Sequence, residues 1–161
     1  MSYASDVKNE TAQKVMSGND ARAELSALIQ MTSSLSISNR GMNLLVVVEN
    51  AAVARLIYKL VKDRYQAQME LFVKKKMNLK KNRVYGIRIL TQVKNILEDL
   101  GLYSTTGLLD KPLLRIVQYD SNARAYLAGA FMAGGSINSP EKANYHLEIS
   151  AVSDTHAGFL I

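Results

Sequence analysis

Laid on itself with a shift of 102 residues, the sequence repeats. "ARAELSALIQMTSSLS" at 21–36 falls on "ARAYLAGAFMAGGSIN" at 123–138. Ala21, Arg22, Ala23, Leu25 and Ser34 then meet Ala123, Arg124, Ala125, Leu127 and Ser136. At the same shift "NLLVVVE" lies on "YHLEISA", and the helical pattern at 51–63 lies on "SDTHAGFLI". Five identities in sixteen can arise by chance between alanine-rich helices, but agreement in the following strand and helix argues for duplication. A duplicated chain builds two related lobes, so the repeat sets the architecture. The shift puts Ile161 on Lys59, so the second copy is expected to stop before its last hairpin and helix. On that reading the chain is a fragment of a longer protein, or its open edge is covered by another molecule.

The first copy shows what each lobe contains. Residues 3–16 carry Tyr3, Val7, Thr11 and Val15 one turn apart, a weak amphipathic stripe. "SGND" supplies a break and a cap before a helix from Ala21 to about Thr32. "SLSIS" and "NLLVVVEN", separated by "NRGM", read as a hairpin. Asn50 caps a helix with apolar residues at 53, 56, 57, 60 and 61, the spacing of one buried face. A second hairpin follows, "AQMELFVKKKM" and "RVYGIRI" around "NLKKN". In its return strand Tyr85, Ile87 and Ile89 share one face and Arg88 points to the other. Thr91 is expected to cap a last helix carrying Val93, Ile96, Leu97 and Leu100, which Gly101 ends. The order α-ββ-α-ββ-α predicts an α+β lobe with helices on one face of an antiparallel sheet. Its other face is left for a partner. The loop-like "YSTTGLLDKP" at 103–112 precedes the division, placed between a first lobe at 1–118 and an incomplete second lobe at 119–161.

Charge narrows the partner. The net charge is +6, yet Lys74 to Arg88 alone carries +7, so the rest sums to −1. Such local basicity suits a phosphate-binding surface. Lys74, Lys76, Lys80, Lys81, Arg83 and Arg88 are the candidate DNA phosphate contacts, with Arg40 in the first hairpin turn a weaker one. Lysines on edge strands also deter aggregation, and that reading stands beside the first. No apolar run approaches the roughly 18–20 residues of a membrane span. The first residues lack the basic and apolar regions of a secretory signal. Without cysteine there are no disulfides or thiolate metal sites, which suits a reducing cytosol. With DNA as the expected partner, the expected place is the cytoplasm, at the nucleoid.

Both halves resemble the LAGLIDADG homing endonucleases, in which two αββαββα lobes pack through their first helices into a saddle over DNA. The chain is more closely similar to the WhiA family of bacterial regulators, which carries a degenerate version of that fold. The segments that carry the resemblance are "SYASDVKNE", "AELSALI", "ENAAVARLIYKL", "VKKKMNLKKNRVY", "ILEDLG" and above all "YLAGAFMAGGSINSPEKANYHLEI". The sequence departs from the usual family pattern in lacking cysteines before the motif helices. In that family a helix-turn-helix domain follows the LAGLIDADG part, and no segment here matches one.

Helices that cross closely need small side chains at the contact. Ser26 and Ala27, with Ala128, Gly129 and Ala133, are the candidates for inter-lobe packing. Leu25, Leu28 and Ile29, like Leu127, Ala130 and Phe131, are expected to face the core of their own lobe. A helix of small residues can also pack in any core, but the cost of an internal glycine points to close approach.

A cutting enzyme needs an acid at the foot of each motif helix to hold a divalent cation. Aligning the motif puts Gln30 and Thr32 there in the first helix, and Met132 and Gly134 in the second. Glu24 is eight residues from Thr32, or ~12 Å along a helix, and cannot substitute. Catalysis, metal and cofactor are therefore not expected. "GAFMAGGS" fails as a phosphate loop: Gly135 occupies the lysine position, and the last glycines follow their helix. His146, His156 and the run "SDTH" read as ordinary strand and helix residues.

The resemblance implies a non-catalytic domain that binds DNA or assists binding, in a regulator linked to sporulation and cell division. The alternative is a protein-interaction scaffold that binds another regulator and leaves DNA to a helix-turn-helix domain. A residual endonuclease is the third reading.

Overall fold

The computed structural model describes residues 3–14, 16–75, 83–137 and 147–161. α1 (Tyr3–Gln13) precedes the first motif helix α2 (Gly18–Thr32). α2 starts before Ala21, because Ser17 takes the extended conformation and its carbonyl already accepts from the Ala21 N–H. The chain then runs directly into β1 (Ser33–Ser38) and β2 (Gly41–Val48). α3 (Ala51–Tyr65) follows, with the Asn50 side chain accepting from the Val53 N–H at 3.1 Å. β3 (Met69–Lys75) and β4 (Arg83–Ile89) form the second hairpin, and α4 (Val93–Asp99) closes the lobe. Thr91 does not cap α4. Its hydroxyl accepts from the Gln68 N–H at 2.9 Å and ties the strand entry, while Gln92 takes a left-handed conformation ahead of the helix.

The sheet order is β1-β2-β4-β3, antiparallel throughout. The register puts Leu44, Val46 and Val48 of β2 on the same face as Ile89, Ile87 and Tyr85 of β4. Leu25, Leu28 and Ile29 of α2 pack there with Val53, Ile57 and Val61 of α3 and with Ile96 and Leu97 of α4. Three amphipathic helices on one sheet face make the α+β lobe.

Residues 103–112 are not plain loop. β5 (Tyr103–Ser104) and β6 (Gly107–Leu108) pair, and a 3-10 turn at Leu114–Val117 follows. Arg115 donates to the Asp99 and Glu98 carbonyls at the end of α4, and Ile116 is buried. α5 (Asp120–Gly134), β7 (Gly135–Ile137), β8 (Leu147–Ile149) and α6 (Asp154–Leu160) reproduce the first half of a lobe.

The repeat needs one adjustment. β1 pairs Ser33 with Val46, but β7 pairs Gly135 with Ile149, so the second hairpin holds one extra residue. Beyond it the shift is 103, and the cap Ser153 corresponds to Asn50. Ile161 therefore corresponds to Tyr58 rather than Lys59.

Candidate functional site

Two places can carry function: the foot of the paired helices and the open face of the sheet. α2 and α5 lie against each other along their length. A side chain at Gly129 would run into the Glu24 carbonyl and stand 3.1 Å from the Ala27 Cβ, so only glycine permits this approach. Ala23, Ala27, Ala125 and Ala130 bury one another there with Tyr126. Ser26 does not join them. Its hydroxyl donates to the Leu100 carbonyl at 2.8 Å, fastening α2 to the end of α4. Ala128 is half-buried, and Ala133, also half-buried, packs across the lobe boundary against the first-lobe core. Leu127 is 43% exposed, contrary to the expectation of a core role in its own lobe, while Ala130 is buried in the cluster that joins the helix pair to Ile149, Phe159 and Leu160 of its own lobe. Ala27 and Gly129 are where expected; Ala23 and Ala125, which are not among the expected contacts, have a signal in standing four residues before them.

At the foot, no carboxylate appears among the described residues; Glu141 lies outside them. The Thr32 hydroxyl donates to the Leu28 carbonyl at 2.5 Å, and Met132 is buried. Gly134 lies where a Cβ would meet the Ser150 carbonyl at 2.9 Å and the Met31 side chain at 3.0 Å. Gln30 belongs to a chain of neutral hydrogen bonds. The Val152 N–H reaches His156 Nδ1 at 3.4 Å, which leaves Nε2–H to donate to the Tyr126 hydroxyl at 2.8 Å. That hydroxyl donates to Gln30 Oε1 at 3.5 Å, and Gln30 Nε2 donates to the Asp110 carbonyl at 2.5 Å. The chain links α6, α5, α2 and the 103–112 segment. Burial holds the His156 pKa below its ordinary value and raises that of Tyr126, which keeps both neutral. An open cavity of about 240 Å³ beside Gln30 is lined mainly by apolar side chains, among them Ile29, Leu35, Leu44 and Leu97. Among the described residues no three acids, histidines or cysteines stand together as a metal would need.

The Ser153–Asp154–His156 run is helix chemistry. The Ser153 hydroxyl accepts from the His156 N–H at 3.1 Å and caps α6, while the imidazole faces Tyr126. His146 lies outside the described residues.

The open sheet face carries Glu70, Phe72 and Lys74 of β3, Gly86 and Arg88 of β4, and Leu45 and Val47 of β2. The Phe72 ring covers Gly86, where any Cβ would collide with it. Lys74 Nζ and Arg88 Cζ lie 5.5 and 5.6 Å from the ring centroid, two cations around one aromatic. Arg40 sits at the exposed turn between β1 and β2. Arg83 pairs with Lys75 and shares the helix-side face, because alternate strand residues point opposite ways. The hairpin's charge is therefore divided between two faces. Lys76, Lys80 and Lys81 lie outside the described residues.

Residues 19–103 match a family model described as the WhiA N-terminal LAGLIDADG-like domain, and residues 123–161 one described as the WhiA LAGLIDADG-like domain. The chain is 43% identical over 157 residues to a probable cell division protein WhiA of Staphylococcus saprophyticus, covering 98% of this chain and 50% of that protein. It is 46% identical over 156 residues to a protein of the same description from Enterococcus faecalis, covering 97% and 50%. The chain thus spans about half the length of the curated relatives it matches. Its fold is similar to the crystal structure of full-length DUF199/WhiA from Thermatoga maritima, with TM-score 0.70 and 18% identity, covering 99% of this chain and 48% of that one. The N-terminal LAGLIDADG domain of DUF199/WhiA superposes with TM-score 0.69 at 19% identity, covering 99% and 71%.

Proposed function

The chain belongs to the WhiA family, and from that premise we propose that it is a non-catalytic DNA-binding or DNA-binding-assisting part of a bacterial transcription regulator. The observation that carries the reading is the pairing of a cationic open sheet with a foot whose motif positions, among the described residues, hold no acid. Lys74 and Arg88 flank Phe72 on a face that no described element covers, and Arg40 is in the exposed β1–β2 turn at the opposite end of the sheet from Lys74. These cations suit phosphate contacts, which position a protein without reading bases. At the foot, Gln30, Thr32 and Gly134 supply amide, hydroxyl and hydrogen where a nuclease holds a cation. The relatives' names point to cell division, and the family resemblance adds sporulation and a place at the nucleoid. No helix among the described residues is long and apolar enough to cross a membrane.

A mobility-shift titration across a salt series tests the reading. Binding should weaken steeply with salt, and Lys74→Gln with Arg88→Gln should flatten the log–log slope by about 0.9 for each phosphate no longer neutralised. Absence of binding at low salt would favour the scaffold reading, for which the half-exposed Val47 supplies apolar surface on the same face. Duplex DNA incubated with Mg²⁺ or Mn²⁺ should remain uncut; a specific nick would restore the endonuclease reading.

A further inference from the structure

We propose that the outer sheet edge is a self-association surface, on which β3 of one copy pairs antiparallel with β3 of a second copy about a two-fold axis at Phe72. Among the described residues β3 is the last strand in the sheet order and pairs with β4 alone. No described strand lies on its other side, which leaves a row of backbone donors and acceptors of the kind natural edge strands usually cover or disrupt. Here charge is the only such device in the strand itself: β3 is regular over seven residues without proline or glycine, and its charges are of both signs, Glu70 against Lys74 and Lys75. Leu71 and Val73 point to the helix-side face yet are 61% and 57% exposed, because the strand runs past the cover of the helices.

The strand is complementary to itself. Turned about Phe72, Glu70 lies opposite Lys74 and Leu71 lies opposite Val73, each pair formed twice. The ion pairs fall on the open face with Phe72 against its own mate, and the apolar pairs fall on the other face. Directly opposite side chains are those that interact most across strands. Antiparallel pairing also sends the two basic hairpin ends in opposite directions, whereas parallel pairing would stack them. The other edge, β1, has no such match: four of its six residues are serine and none is charged. The product is one eight-stranded sheet whose open faces are continuous. A single strand pair covers less than the ~1,200 Å² of stable interfaces, so the dimer is reversible and concentration-dependent.

Cysteine cross-linking tests the register, since the chain has no cysteine of its own. Leu71→Cys and Val73→Cys alter exposed side chains and leave the core intact. Mixed and mildly oxidised, the two variants should form a mixed disulfide, because opposite Cα atoms stand about 4.5–5.5 Å apart. Either variant alone should cross-link far less, its mates being two residues out of register. Sedimentation over a concentration series supplies the second readout. Glu70→Lys or Lys74→Glu should weaken dimerisation about tenfold, and the two changes together should restore it. A chain monomeric at every concentration overturns the proposal. So does association indifferent to both reversals, or homodisulfides that form as readily as mixed ones.

Discussion

The Asn122 side chain donates to the Asp20 carboxylate at 2.8 Å, and the two residues occupy the same place in the two copies of the repeat. Ala27 and Gly129, related by the same shift, meet further along the helices. A local two-fold axis therefore runs between α2 and α5. Asp20 and Asn122 break its chemical symmetry in a useful way, since two aspartates there would repel and an aspartate with an amide can bond. Asn122 also accepts from the Tyr119 N–H at 3.3 Å, so one side chain both caps α5 and joins the lobes.

A double-mutant cycle on Asp20→Ala and Asn122→Ala should return a coupling of about 0.5–1.5 kcal/mol, the net value of a hydrogen bond between the lobes. Urea unfolding of the four chains measures it. Strict additivity would mean that the bond contributes nothing to holding the lobes.

Gly129→Val should destabilise the chain by about 1–3 kcal/mol, because the added atoms force α5 away from the Glu24 carbonyl. Gly158→Ala, with open space around its Cβ in α6, should instead be neutral or stabilise by up to ~1 kcal/mol. Thermal melts of both distinguish a glycine required by close approach from one that is not.

Glu24 is 1% exposed, its carboxylate has no hydrogen-bond partner, and burial raises its pKa to about 7. A carboxyl raised on folding gives stability that is complete below its unfolded pKa of 4.5 and is lost as pH rises through about 7. Glu24→Leu should therefore gain stability over the wild type at alkaline pH, by on the order of 3 kcal/mol at most, with a smaller difference in acid. His156 acts in the opposite sense. Its lowered pKa gives stability that is present above 6.5 and lost as pH falls toward the folded value. Denaturation from about pH 5 to pH 8.5 for wild type and Glu24→Leu checks both signs.

Tyr126→Phe should cost about 1–3 kcal/mol, because it leaves the buried Nε2–H of His156 without an acceptor. Hydrogen exchange should rise in α6, which this bond fastens to α5, more than in the first-lobe sheet. Equal loss of protection throughout would mean that the bond does not hold α6 in particular.

Much of the fold was legible because it is written in short-range periodicity. The spacing of Val53, Ile57, Leu60 and Val61 commits α3 to one buried face, and the alternation of Tyr85, Ile87 and Ile89 does the same for β4. Asn50 is a cap for local reasons and caps as expected. Thr91 was equally suited, but a strand distant in sequence offered its Gln68 N–H and took the hydroxyl.

The candidate site was less legible, since its members are defined by partners far along the chain. Ser26 is as small as Ala27, but the Leu100 carbonyl turns it from the helix pair. Arg83 sits in a basic run, but register with Lys75 assigns it to the helix-side face. Gln30, Tyr126 and His156 share no motif, and only the crossing of α2 and α5 with α6 beside them joins the three.

The sequence by itself determined two related α+β lobes and glycine at the crossing of their first helices. Those follow from side-chain period and from the space a Cβ needs. Tertiary structure decided which face each cation occupies, how the extra residue in the second hairpin shifts the repeat, and what fills the foot of the helices. Those depend on strand register and on hydrogen-bond partners as many as 96 residues apart, which no local pattern encodes.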